Sequence, residues 1–225
     1  ITGLTGDLTE PEFFFAFESF LIPPAIYSCD IDADRARPFI ESDKAFDQDM
    51  AAVEQVFYPS KDGTIIPMFI LKPNTCQIGE GKPYPTVLSG YGGFNTSRTP
   101  AYSPSVIPWI ESGGIYASAN LRGGSEYGEE WHRAGMLDKK QNVFDDFIAA
   151  GEYLIDKGYT DRDHLGIWGR SNGGLLVGAA LTQRPDLFRA VACGVPLLDM
   201  VRYHKFLIAS LWCYEYGNPD NAEDF

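Results

Sequence analysis

Positive charge is scarce in this 225-residue chain: 18 Lys and Arg stand against 31 Asp and Glu, a formal net charge of −13. Polyanions are gripped mainly by cationic side chains, so this balance argues against nucleic acid and against an anionic membrane surface. Cysteine is scarce too. The four copies, at 29, 76, 193 and 213, include no pair closer than 20 residues. That excludes the short-spaced thiols of zinc knuckles and dithiol redox motifs. They suit a reducing compartment, and a chain with 44% apolar residues needs no disulfide staples. No metal and no cofactor is expected. Long apolar runs are missing as well. The greasiest stretch, Phe13 to Ile22, contains Glu18 and stops at Pro23-Pro24, well short of the roughly 20 residues that cross a bilayer. No leader is visible, and the chain opens on Ile1 rather than Met, so a processed product or a piece of a longer protein is expected. What remains is rich in aromatics (14%) with 22% charged residues, which is globular and not disordered, coiled-coil or collagenous.

Residues 1–50 read differently from the rest. Aromatic strands are expected near 12–20 and 25–30, followed by an acidic stretch from Asp30 to Asp49. Phe13, Phe15 and Phe17 fall on one strand face, Phe14 and Ala16 on the other, so both faces call for cover. Either this is a hairpin packed on the main domain, or it is the end of a larger all-β domain. From Val53 the pattern changes. A strand to Tyr58, an Asp62-Gly63 turn and a strand from Ile65 to Leu71 make a hairpin, with Pro67 suggesting an edge. Further short strands are expected at 86–88, 115–119, 165–168 and 190–195, and helices at 141–157, capped by Gly158, and 173–182. Short apolar strands alternating with helices predict an α/β fold with a mostly parallel sheet.

The strongest chemical signal is Gly169-Arg170-Ser171-Asn172-Gly173-Gly174, set between an apolar strand and a small-residue helix. Glycines two before and two after a serine let strand and helix approach closely while the serine takes strained dihedrals and projects its hydroxyl. The plainer reading is a Gly/Ser turn opening a helix; strand, helix and sheet together favour a nucleophile. Gly90-Tyr91-Gly92-Gly93-Phe94 follows the 86–88 strand and faces that turn. The backbone N–H of Asn172 is then one oxyanion donor, and a loop N–H or the Tyr91 hydroxyl the other; the alternative is a glycine turn with a packed tyrosine. The nucleophile needs a base, and His204 is the only histidine that follows it. It comes too early to stand in a loop after two further strands, so it is not expected to serve; His132 and His164 precede the turn and read as structural or exposed.

These segments resemble the prolyl oligopeptidase family of serine peptidases. The resemblance rests on Val56 to Thr64, Gly90 to Asn95, Asn120 to Gly128 with Trp131-His132, Asn142 to Phe147, and Ser171 to Leu176 continuing to Phe188. It is dense over 53–225 and loose over 1–50. It implies a truncated α/β-hydrolase fold at 51–225, preceded at 1–50 by the last strands of a β-propeller and a linker. It implies Ser171 as nucleophile, Asn172 and Tyr91 as oxyanion donors, and Trp212 as the indole under a substrate proline, with Phe94, Leu197 and Tyr216 completing the pocket wall. The family usually has valine in place of Leu197, and often glycine in place of Arg170. Trp212 and Tyr216, four apart, are expected to share a helix face. The catalytic aspartate and histidine are expected beyond Phe225, so activity is expected of a full-length parent rather than of this piece. That parent is expected to be a cytoplasmic or periplasmic monomer cleaving short proline-containing peptides. Two other readings stay open: a relative of different specificity, for basic or acylaminoacyl substrates, and a non-catalytic α/β-hydrolase-like binding module.

Overall fold

The computed structural model describes residues 1–40, 46–79 and 81–224. The first four strands, β1 (Thr2–Gly6), β2 (Glu12–Phe17), β3 (Ala25–Asp30) and β4 (Arg35–Ile40), form an antiparallel meander in that order. β2 and β3 fall where the aromatic runs predict them, and both faces of β2 carry rings. Phe15 stacks on Tyr27 at 5.5 Å between centroids, while Phe14 meets Phe39 edge-on at 4.9 Å. β1 and β4 are additions to the expectation. β4 lies inside the acidic stretch, and its six residues are all exposed, so no buried face imposes alternation on its sequence. The part of that stretch at 41–45 lies outside the described residues.

The second sheet contains β5 (Ala51–Pro59), β6 (Ile65–Pro73), β7 (Thr86–Ser89), β8 (Ile115–Ala119), β9 (Leu165–Arg170) and β10 (Ala190–Gly194), in the spatial order β10-β9-β7-β8-β6-β5. β8, β7, β9 and β10 run parallel, while β6 is antiparallel to both neighbours, so the sheet is mixed. The β5–β6 turn forms as expected, with Gly63 at φ +84° and Asp62 accepting the Thr64 N–H at 3.0 Å. Pro67 does not mark an edge. β6 is paired on both sides, but its ladder with β8 begins only at Met68, and the Pro67 carbonyl accepts Asn120 N–H at the ladder's end. The missing proline N–H thus falls where no partner strand is left to need it.

Helix α1 (Val106–Glu111) and helix α2 (Glu129–Arg133) were not anticipated; both are under two turns, too short to show a period. Helix α3 (Lys140–Asp156) buries Val143, Phe147, Ala150 and Leu154 against the sheet, each large apolar side chain contributing roughly 1.5–3 kcal/mol. It stops as expected: Gly158 adopts φ +75° and its N–H and that of Tyr159 take up the carbonyls of Ile155 and Leu154. Helix α4 (Asn172–Gln183) packs beside α3 on that face. On the other face, Ile110 of α1 joins Leu71, Tyr116 and Phe20 in a second core. Over β9 that face is open, leaving Trp168 41% exposed.

One buried charge network ties the second sheet to α3. Arg122, just after β8, donates Nε and Nη2 to Asp146 of α3 and Nη1 to Asp62 of the hairpin turn, at 3.0, 2.6 and 2.6 Å. Burial works against the Arg122 charge, but the bonds to Asp146 and Asp62 outweigh it and hold its pKa above the ordinary value. The Arg122 bond holds the Asp62 carboxyl down at about 2.

Candidate active site

β9 ends at Arg170 and α4 begins at Asn172, so the chain reverses on one residue, Ser171. Its dihedrals are φ +59°, ψ −121°, a region that costs a non-glycine residue of order 1–3 kcal/mol. The surroundings hold it there. The Ser171 N–H bonds the Gly194 carbonyl of β10 at 3.0 Å, and its own carbonyl accepts Gly174 N–H at 2.8 Å. The flanking glycines are sterically required. A Cβ on Gly169 would lie 1.9 Å from the Gly173 carbonyl oxygen, and one on Gly173 would lie 2.9 Å from that of Gly90. The elbow geometry predicted from the sequence is therefore present, and Ser171 stands at the N-terminus of a 12-residue helix, where the field favours developing negative charge.

The loop after β7 closes on this turn. Gly92 sits at φ +63°, and a Cβ there would lie 2.2 Å from Val143 Cγ1, so no side chain fits. The Asn172 side chain bridges: its Nδ2 donates to the Tyr91 carbonyl at 2.5 Å and its Oδ1 accepts the Tyr216 hydroxyl at 2.8 Å. As the first residue of α4, Asn172 presents a backbone N–H that has no carbonyl to meet within the helix. Burial, and then the nearby Glu215 charge, push the Tyr216 phenol well above its ordinary pKa, so it stays a donor.

The aromatic residues named by the resemblance come together. Phe94 is ringed edge-on by Trp212, Tyr214 and Tyr216, with centroids at 6.3, 6.0 and 5.5 Å. Leu197 and Trp212 line a cavity of about 470 Å³ with Pro196, Phe206 and Ile208. The expected helix shared by Trp212 and Tyr216 does not form as one piece. Trp212 closes a 3-10 turn (Ala209–Trp212), and Tyr216 ends a separate four-residue helix, α5 (Cys213–Tyr216). Phe94, rather than a common helix face, brings the two rings to one place.

Each of the three histidines is committed to a carboxylate: His132 to Glu215 at 2.9 Å, His164 to Asp161 at 2.6 Å and His204 to Asp220 at 2.9 Å. Among the described residues none bonds Ser171. Glu215 was missed by sequence reasoning. It is fully buried, and its second oxygen accepts Lys140 Nζ at 3.0 Å. Lys140 is itself buried, which lowers its pKa against the opposing pull of Glu215. The three charged partners are scattered over 83 positions, and no local pattern announces them.

Residues 100–225 match the model of the prolyl oligopeptidase family. The prolyl endopeptidase of Elizabethkingia miricola is 46% identical over 222 residues, which is 99% of this chain and 31% of that protein. That of Dictyostelium discoideum is 45% identical over 218 residues, 94% of this chain and 28% of that protein. A solved prolyl endopeptidase structure superposes with a TM-score of 0.93 at 49% identity, covering 99% of this chain and 32% of the other. A post-proline cleaving enzyme from Rickettsia typhi gives 0.90 at 38% identity, covering 100% and 32%. The chain thus spans about a third of the length of these relatives. Among the described residues no helix is long and apolar enough to cross a membrane.

Proposed function

The chain belongs to the prolyl oligopeptidase family, and from that membership we propose that the whole protein carrying it is a serine endopeptidase that cuts short peptides on the carboxyl side of proline. The observation that carries this reading is the convergence of the strained Ser171 turn, the Tyr91 loop and the Phe94–Trp212–Tyr216 rings, joined through the Asn172 side chain. Ser171 Oγ attacks the carbonyl of the proline residue itself, a base takes its proton, and the oxyanion is met by Asn172 N–H and the Tyr91 hydroxyl. The base returns the proton to the leaving amine, and water then hydrolyses the acyl-enzyme by the same route in reverse. With all three described histidines engaged elsewhere, the base and its carboxylate are assigned to residues outside the 225.

The proline ring lies on Trp212, walled by Phe94, Tyr216 and Leu197. An apolar, aromatic wall suits a ring that offers no N–H to bond. Among the described residues lining the cavity beside Leu197 and Trp212, the one carboxylate, Asp199, is bonded to Arg202 at 2.8 Å, which disfavours a pocket for basic residues. We assign residues 51–225 to part of an α/β-hydrolase domain, a reading supported by the mixed sheet with α3 and α4 packed on one face, and 1–50 to the end of a β-propeller and its linker. We further propose that the whole protein is a monomer of the cytoplasm or periplasm.

Replacing Trp212 with alanine in the whole protein tests the specificity. The kcat/KM for a proline peptide should fall by about 2–3 kcal/mol, from lost ring burial and flat aromatic contact. A matched alanine peptide should lose clearly less. Equal losses on both would make Trp212 a structural residue and remove the proline assignment.

A further inference from the structure

The loop that carries Tyr91 is tethered at two successive carbonyls. Tyr91 O accepts Asn172 Nδ2 at 2.5 Å, and Gly92 O accepts Lys140 Nζ at 2.9 Å. The first tether comes from the residue beside the nucleophile. The second comes from the start of α3, and its cation is fixed by Glu215, whose other oxygen faces His132 of α2. Glu215 also crowds the loop directly: a Cβ on Gly93 would lie 3.0 Å from its Oε1 and 2.6 Å from Asn172 Nδ2. Lys140 stands 5.3 Å over the ring of Tyr216, the residue that holds the Asn172 amide from its far side. Side chains from α3, α4 and α5 thus converge on one turn of the loop.

The cost of this arrangement argues that it does something. Glu215 is wholly buried and Lys140 largely so, and taking either ion out of water gives up much of its hydration. His132 Nδ1 has no hydrogen-bond partner among the described residues, and the nearest acid, Glu129, is 3.7 Å away. Glu215 and Lys140 supply one anion and one cation, which balance. A single ion pair then fixes a carbonyl that a glycine-rich turn, unable to pack a side chain at Gly92, cannot fix by itself.

We propose that Glu215 and Lys140 are positioning residues that hold the Tyr91 loop in register with Ser171, so that the Tyr91 hydroxyl meets the oxyanion. Neither touches the reacting atoms. Their effect is transmitted through the Gly92 carbonyl, and it is exerted on the transition state more than on bound substrate. A misplacement near 1 Å is enough to cost on the order of 100-fold. The inference rests on the reading of Tyr91 as an oxyanion donor, and its test separates the two.

The whole protein is compared with its Glu215→Gln, Lys140→Met and Tyr91→Phe variants, and with each of the first two combined with Tyr91→Phe. Should either single change impair folding, the Lys140→Met/Glu215→Gln pair, which removes both charges together, replaces it. Loosening the tether should lower kcat by about 10- to 100-fold with KM within about threefold. In the Tyr91→Phe background the same changes should alter kcat by less than about twofold, because the hydroxyl they position is already gone. A purely structural role would give the same fold-loss in both backgrounds, and that result would overturn the inference while leaving Tyr91 as a donor. A Tyr91→Phe variant with unchanged kcat would overturn both. Lys140→Arg, which restores a cation able to reach the carbonyl, should recover more of the lost kcat than Lys140→Met retains; equal activity of the two would also count against the tether.

Discussion

The nucleophile turn and the aromatic wall face the same space but are built in opposite ways. The turn is local: its strained residue, its glycines and the strand and helix that bracket it lie within Leu165–Gln183. The wall is assembled from Phe94 and from a segment with no helix longer than four residues between Leu197 and Tyr216. Its apolar neighbours Phe206, Leu207, Ile208 and Leu211 are all more than half exposed. A local device tolerates almost no substitution because backbone meets backbone. A wall of side chains can repack, since ring contacts contribute only about 0.5–1.5 kcal/mol each beyond burial.

The largest effect should therefore come from Gly169→Ala. Its methyl would sit 1.9 Å from the Gly173 carbonyl, and neither strand nor helix can move away without breaking its own ladder. We expect a loss of more than about 3 kcal/mol, the upper range for overpacking, read as a drop in the urea midpoint. Phe94→Leu, in the wall, should cost visibly less. Comparable losses would erase the distinction between the two regions.

Next in size is Tyr91→Phe, which tests the side of the turn that has chemistry rather than packing. Removing one oxyanion donor typically costs roughly 3 kcal/mol in kcat, so turnover should fall tens- to hundreds-fold with KM little changed. A raised KM at constant kcat would move Tyr91 into the wall.

The smallest effect lies in the hairpin turn. Asp62 has a pKa near 2, held there first by its bond to Arg122, against an ordinary 3.8. A depressed carboxyl stabilises the fold fully above 3.8, and that contribution fades as pH falls toward 2. Asp62 is half-exposed, so the gain is at most about 1 kcal/mol. The melting temperature of Asp62→Asn should lie slightly below wild type at pH 6 and converge with it near pH 2. A gap that widens on acidification would reverse the assigned sign.

The same contrast explains what the sequence disclosed. The second sheet was legible because its central strands β6, β7 and β8 are largely buried apolar runs between glycine and proline punctuation, and because α3 has a regular stripe ended by Gly158. The elbow was legible because its requirements sit within six consecutive residues. Residue identity alone left β4 hidden: Arg35-Ala36-Arg37-Pro38-Phe39-Ile40 is wholly exposed and carries no burial pattern. Pro67 misled because a missing N–H marks the end of a ladder as well as the edge of a sheet. The wall residues were named from resemblance, and the spacing argument for Trp212 and Tyr216 failed because Phe94, more than 100 positions away, organises them. Glu215 was invisible for the same reason: its partners at 132 and 140 are distant in sequence.

The account turns on Ser171 being the group that becomes acylated. Treating the whole protein with a serine-directed fluorophosphonate and mapping the adduct by peptide mass spectrometry tests that directly. The account predicts stoichiometric labelling confined to the peptide containing Ser171, loss of peptidase activity in step with labelling, and neither label nor activity in Ser171→Ala. Labelling at another serine, or peptidase activity that survives Ser171→Ala, would contradict it.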